Sequence, residues 1–119
     1  MRVRCIKPSF QGEMPPEGDR WLTIGREYDV LCVSFSADNT ARFRLIGNDK
    51  HTPAIFAGEL FEISDKSIPK NWVISRRGEH DYTFGPETWS EVGFWTRFFD
   101  GEPEAQAVFR HEVSLMMVS

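Results

Sequence analysis

The first half of the chain alternates polar and apolar residues with the period of β-strands. Residues 2–5 alternate in this way, and two longer runs at residues 28–35 and 41–46 are joined by a short polar connection. The apolar runs between residues 54 and 63 are shorter, and the glycines and prolines of residues 9–19 predict a long loop. Short strands with tight connections predict a small curled antiparallel sheet, and an SH3-like β-barrel fits this size.

Helical spacing replaces strand spacing towards the end of the chain. Apolar side chains recur three and four positions apart after Pro86, and Gly93 is expected to divide this helix in two. Pro103 predicts the start of a second helix, with Glu102 and Glu104 near its positive end. Both helices are amphipathic and are expected to cover the flank of the barrel.

Five large aromatic residues stand within eleven positions of the first predicted helix. The helical period places Trp89, Trp95 and Phe99 on the side that faces the sheet, and it turns Phe94 and Phe98 away from it. Two helices sharing the rings with the sheet would bury them all. Alternatively, one or two exposed rings would serve as anchors for a binding partner.

These patterns predict one α+β domain. Its barrel occupies residues 1–65, an extended connection spans residues 66–85, and two packed C-terminal α-helices occupy residues 86–118. The length of 119 residues suits a single domain. No stretch approaches the roughly 18 apolar residues of a spanning helix, and the opening MRVRCIKPSF has no apolar signal-peptide core. We therefore expect a cytoplasmic protein.

The net charge of −4 conceals an asymmetry along the chain. Residues 1–50 carry 8 basic and 7 acidic side chains, whereas residues 51–119 carry 6 basic and 11 acidic ones. A solvated helical face explains such an excess, and so does an acidic surface that binds a basic partner. The candidate partner-binding residues are Asp81, Glu87, Glu91, Asp100, Glu102 and Glu104.

The sequence lacks common catalytic, metal-binding and phosphate-binding motifs. His51, His80 and His111 form no HxH or HxxxH pair, and the GxSxG, GxxxxGK[ST] and GxGxxG patterns do not occur. A further alternative is an enzyme with a site around His80 and Asp81. We expect a protein that is not an enzyme, with no catalytic residues, metal or cofactor. The two cysteines, Cys5 and Cys32, stand in apolar runs and are expected to be buried thiols.

Four arginines offer a second kind of surface. Arg2, Arg4, Arg42 and Arg44 alternate with apolar residues, so their side chains would share one face if the two strands were neighbours. Small barrels bind RNA through such basic strips, which makes a nucleic-acid or ribonucleoprotein-binding module the alternative function. Charge that protects a sheet edge is the simpler explanation of the same pattern.

Segments spread over nearly the whole chain carry a resemblance to a known group of proteins. They are MRVRCIK at residues 1–7, GREYDVL at 25–31, ELFEI at 59–63, PKNW at 69–72, Trp89, GFW at 93–95, and Phe99 with Asp100. The chain resembles small bacterial SH3-like barrel proteins of toxin–immunity loci, such as contact-dependent growth inhibition and other polymorphic toxin systems. This resemblance implies an immunity protein that binds and neutralises one cognate toxin domain, often a nuclease.

Overall fold

The computed structural model describes residues 1–10, 12–16, 18–38, 40–77 and 79–117. In these residues strands come first and helices last, so the predicted α+β class is confirmed. The strands are β1 (Arg2–Cys5), β2 (Glu27–Phe35), β3 (Ala41–Ile46), β4 (Pro53–Ala57), β5 (Phe61–Asp65), β6 (Trp72–Arg77) and β7 (Asp81–Pro86). The helices are two 3₁₀ turns at Gly58–Leu60 and Glu87–Ser90, then α1 (Phe94–Phe99) and α2 (Pro103–Met117). Val118, the last residue of the predicted helical part, lies outside the described residues.

The strands form one antiparallel sheet that is not closed into a barrel. Its main path runs β4-β3-β2-β1-β5, and the β6-β7 hairpin joins through the pairing of β7 with β2. The predicted closed barrel is therefore wrong, and the SH3-like assignment is not confirmed. The physical reason lies at the 3₁₀ turn Gly58–Leu60, which follows β4 directly and leads into β5. Within the described residues β4 pairs with β3 and β5 with β1, but β4 and β5 do not pair.

The predicted extended connection at residues 66–85 holds two of the strands. β6 and β7 pair in register from Trp72 opposite Pro86 to Arg77 opposite Asp81. Residues 66–71, which connect β5 to β6, belong to neither strand. The alternation in this hairpin is weak because Val73 and Ile74 follow Trp72 directly, so its apolar residues do not show the period of two.

A bulge in β2 divides the buried residues into two cores. Val30 stands opposite Leu45 and Cys32 opposite Arg44, which leaves Leu31 as an extra residue on β2. Val30 consequently packs into the inner core of the curled sheet together with Leu45. Leu31 and Cys32 instead both join a second core beneath the helices.

The aromatic residues that are buried in the second core differ from those that the helical period predicted. Trp89, Phe94 and Phe98 are buried, whereas Phe99 is 54% exposed. The expected orientation of Phe94, Phe98 and Phe99 is therefore wrong. Gly93 has a φ of +80°, and α1 begins only after it, so Trp89 lies on the preceding 3₁₀ turn and sets no phase for α1.

The helix α2 closes this second core as its spacing predicted. Ala105 and Phe109 are buried, and the ring of Phe109 lies 5.2 Å from Trp89 and 4.7 Å from Phe98 between centroids. Such offset and tilted ring pairs each add about 1 kcal/mol beyond the area that they bury. None of the helices in the described residues combines the length and apolarity of a bilayer-spanning segment.

Gly85 is required where β7 passes the second core. A Cβ at this position would stand 2.6 Å from the Cβ of Cys32, which is closer than real contacts allow. We expect Gly85→Ala to lower the free energy of unfolding by about 2 kcal/mol, because β2 and β7 must move apart to fit it. Thr83→Ala, two residues earlier on the same strand, is the matched control. Equal midpoints of urea unfolding for the two variants would contradict this close approach.

The Cys32 thiol is held protonated by its surroundings. Burial raises its pKa to about 11, although Arg44 nearby acts in the opposite direction. Burial also raises the pKa of the Cys5 thiol. Since the thiolate is the reactive form, both thiols are expected to be inert near neutral pH in the folded protein.

This protonation predicts a pH dependence of stability. The unfolded chain releases the Cys32 proton near its ordinary pKa of 9.0, and the folded protein keeps it to about pH 11. Stability contributed by the neutral thiol is thus complete below pH 9 and is lost as the pH rises through 11. The excess unfolding free energy of the wild type over Cys32→Ala should fall by about 1.4 kcal/mol per pH unit in this window. A difference that stays constant in urea titrations from pH 8 to 11 would refute it.

Candidate partner-binding site

An acidic groove lies where the helices meet at one end of the molecule. Its volume is about 350 Å³, and it is lined by Thr88, Glu91, Phe94, Arg97, Glu102, Glu104, Ala105 and Val108. Three of the six predicted contact residues thus come together with one basic residue. Phe94 and Ala105 are largely buried and form part of the apolar floor.

The chain turns sharply to bring these carboxylates together. The φ of +80° at Gly101 ends α1, and the N–H of Gly101 donates to the Phe98 carbonyl at 3.0 Å. The N–H of Glu102 donates to the Arg97 carbonyl at 3.1 Å, which fixes the entry to α2. Pro103 then begins α2 with the fixed φ that suits a first helical turn. Glu102 and Glu104 consequently stand at the positive end of the α2 dipole.

Arg97 contacts the opposite wall of the groove. Its Nη2 lies 3.8 Å from Oε2 of Glu91, and its Nη1 donates to the Val92 carbonyl at 3.3 Å. Both members of this ion pair are exposed, so the pair adds little to stability. Within the described residues neither Glu102 nor Glu104 forms an ion pair, and their charges remain available to a partner. The groove therefore presents the carboxylates of Glu102 and Glu104, which have no ion-pair partner among the described residues, beside that of Glu91, which is paired with Arg97.

The other three predicted contact residues lie outside the groove. Glu87 is exposed on the 3₁₀ turn before α1, and Asp100 is exposed at the end of α1. Asp81 stands at the far end of β7, opposite Arg77 in the strand register. Glu87 and Asp100 thus extend the negative charge of the helical end. Asp81 is separated from it by the length of a strand, which at about 3.3 Å per residue is roughly 16 Å.

The predicted arginine face is divided by the fold. β1 and β3 flank β2, and Arg2 and Arg4 on β1 form ion pairs with acidic residues. Arg2 Nε lies 3.0 Å from Asp29, and the Arg4 guanidinium lies 2.7 Å from Glu27 and 3.0 Å from Glu62.

On β3 the other two arginines hold parts of the fold together. Arg44 lies under the helices with its guanidinium carbon 3.8 Å from the Trp95 ring centroid, and it donates to the Pro53 carbonyl at 2.7 Å. Arg42 donates to the hydroxyl of Ser36 at 2.9 Å. The four guanidinium groups therefore do not form one continuous basic strip.

His80 lies in a turn just before β7. Its Nε2 lies 3.7 Å from Oε2 of Glu79, and both side chains are largely exposed. Across the described ranges, no three His, Cys, Asp or Glu side chains cluster closely enough to hold a metal ion.

A second surface feature, which a closed barrel would not have, exists because the sheet stays open. We call it the seam: two adjoining grooves of about 640 and 310 Å³ that share Ala41, Phe43 and Ile63. It lies between β5 and the paired ends of β2 and β3. Apolar side chains alone line the smaller groove. A sequence signal did exist, since Ile63 continues the alternation that begins at Phe61, with the acidic Glu62 between them.

No family model, curated protein or solved structure matches this chain.

Proposed function

We propose that this protein is an immunity protein, which binds and neutralises a cognate bacterial toxin domain without catalysis. The toxin class that fits best is a basic nuclease, whose active site or substrate path the bound protein would block. One observation carries the proposal: Glu91, Glu102 and Glu104, from separate parts of the chain, converge on a groove with an apolar floor.

The chemistry of the groove suits a lysine or arginine of the partner. Glu102 and Glu104 would pair with the incoming cation, and the stem of the cation would cover Phe94 and Val108. Glu87 and Asp100 nearby add to the negative potential of the helical end. Such a potential steers a basic partner and raises the association rate roughly 10- to 1,000-fold at low salt.

The nucleic-acid alternative receives less support from the contacts. Arg2 and Arg4 are paired with carboxylates, and Arg44 is stacked on Trp95. A phosphate backbone would have to displace these partners before it could bind. The affinity capture described next therefore also measures the binding of nucleic acid.

The test is affinity capture from bacterial lysate in low salt, with the retained material divided between mass spectrometry and nucleic-acid staining. The wild type is compared with the double variant Glu102→Lys/Glu104→Lys. The matched control is Glu13→Lys/Glu79→Lys, which changes the net charge equally at exposed positions away from the groove. We expect one small basic protein to be retained by the wild type and the control and to be lost with the groove variant.

Measurements on the captured protein complete the test. Its production should arrest growth, and co-production of the wild type should restore growth through a one-to-one complex. The groove variant should associate at least about tenfold more slowly and with a weaker dependence on salt. The interface assignment fails if the groove variant protects as well as the wild type does.

RNA retained without a dominant protein would instead favour the alternative. In that case Arg4→Glu and Arg42→Glu, which leave Arg44 under Trp95, should abolish the retention. Retention of neither a toxic protein nor RNA would reject both functions.

A further inference from the structure

We propose that the seam is a second binding site, which accepts an extended segment of a partner protein as an added strand beside β5. This proposal does not depend on the acidic groove, because the seam borders the inner core and the groove lies at the helices on the other face of β2. Three features carry it: a free backbone edge, an apolar groove along that edge, and charges that disfavour self-association.

The backbone of β5 has one free edge. Cys5 donates to Arg26 and accepts from Gly25, so the backbone groups of Cys5 point towards β2. The backbone N–H and C=O of its neighbour Arg4 therefore point towards β5. Glu62 stands opposite Arg4, so the backbone groups of Glu62 point back towards β1. Alternation then directs the N–H and C=O of Ile63 to the other edge of β5. Among the described strands β5 pairs with β1 alone, so nothing there pairs with that edge.

The groove along this edge is apolar and open to solvent. Ile63 is 49% exposed, Ile68 64% and Phe35 38%, and all three line the smaller groove of about 310 Å³. Phe43 lies in the floor of both grooves. Exposed aliphatic and aromatic side chains around one groove are typical of a surface that a partner covers.

These two features together specify an extended polypeptide. Only a chain in β conformation presents the alternating donors and acceptors that satisfy a strand edge, and its alternate side chains then point into one groove. A small ligand would gain little orientation there, since the smaller groove has no polar side chain to direct it.

A second copy of this chain fits the edge poorly. The regular part of the free edge is short, because the register with β1 shifts after Ile63: Val3 stands opposite Ile63 but Arg2 stands opposite Asp65. Antiparallel self-pairing that places Phe61 opposite Ile63 sets Glu62 opposite its own copy, and like charges directly opposite each other are destabilising. A partner segment with alternating apolar residues and a lysine or arginine beside Glu59, which lines the larger groove, avoids this repulsion.

The test uses a displayed library of random peptides of about twelve residues, long enough for one strand. Selection is carried out on the intact protein and on Ile63→Lys, with Ile24→Lys as the matched control at a similarly exposed isoleucine in a loop. We expect enriched peptides to alternate apolar and polar or basic residues. Their dissociation constants should rise at least about tenfold with Ile63→Lys and stay unchanged with Ile24→Lys.

A second probe separates strand addition from simple apolar contact. The peptide that binds most tightly is synthesised again in two forms, with N-methyl groups on its odd-numbered residues or on its even-numbered residues. Each form lacks every second backbone donor and keeps all side chains. One of the two methylation phases should abolish binding, and the unmodified peptide should slow hydrogen exchange at the Ile63 amide.

Four results would overturn the proposal. They are no enrichment, enrichment that is indifferent to Ile63→Lys, binding that survives both methylation phases, and a concentration-dependent dimer that Ile63→Lys abolishes. The last result would show that a second copy occupies the seam.

Discussion

The extra residue in β2 is the constraint on which the rest of this structure depends. In a regular strand Val30 and Cys32 would face the same way, and only every second residue would be available to the helices. The bulge turns both Leu31 and Cys32 towards the helices while Val30 and Val33 remain in the inner core. One strand thus supplies two adjacent anchors for the second core. The same approach of strands excludes any side chain at Gly85.

The two surfaces on which function is proposed both border elements that pack around β2. β1 pairs with the first part of β2 and β7 with its last part, so one edge of β2 is divided between two branches of the sheet. On one face, the helices cover the bulge and bring Glu91 near Glu102 and Glu104. On the other, the sheet curls without closing and leaves Ile63 exposed beside the free edge of β5. The two surfaces share no lining residue.

The arginines show how tertiary contacts redirect residues that look available in sequence. The alternation of its strand predicts that Arg44 shares a face with the other arginines, yet it packs under Trp95 and donates to the Pro53 carbonyl. Arg4 binds carboxylates on both neighbouring strands, Glu27 on β2 and Glu62 on β5. These contacts join elements that are distant in sequence. Basic residues in a strand pattern therefore carry little information about nucleic-acid binding until their neighbours are known.

The sequence by itself determined the elements whose hydrogen bonds and side-chain period are local. It placed β3 at residues 41–46, the start of α2 at Pro103, and the break at Gly93, because strand alternation, a fixed proline φ and a positive glycine φ act within a few residues. Only the tertiary structure decided the bulge at Leu31, the facing of α1, the failure of the sheet to close, and the convergence of Glu91 with the start of α2. Each of these depends on which distant strands pair and which side chains meet. The free energies of such long-range contacts leave no periodic mark on the chain.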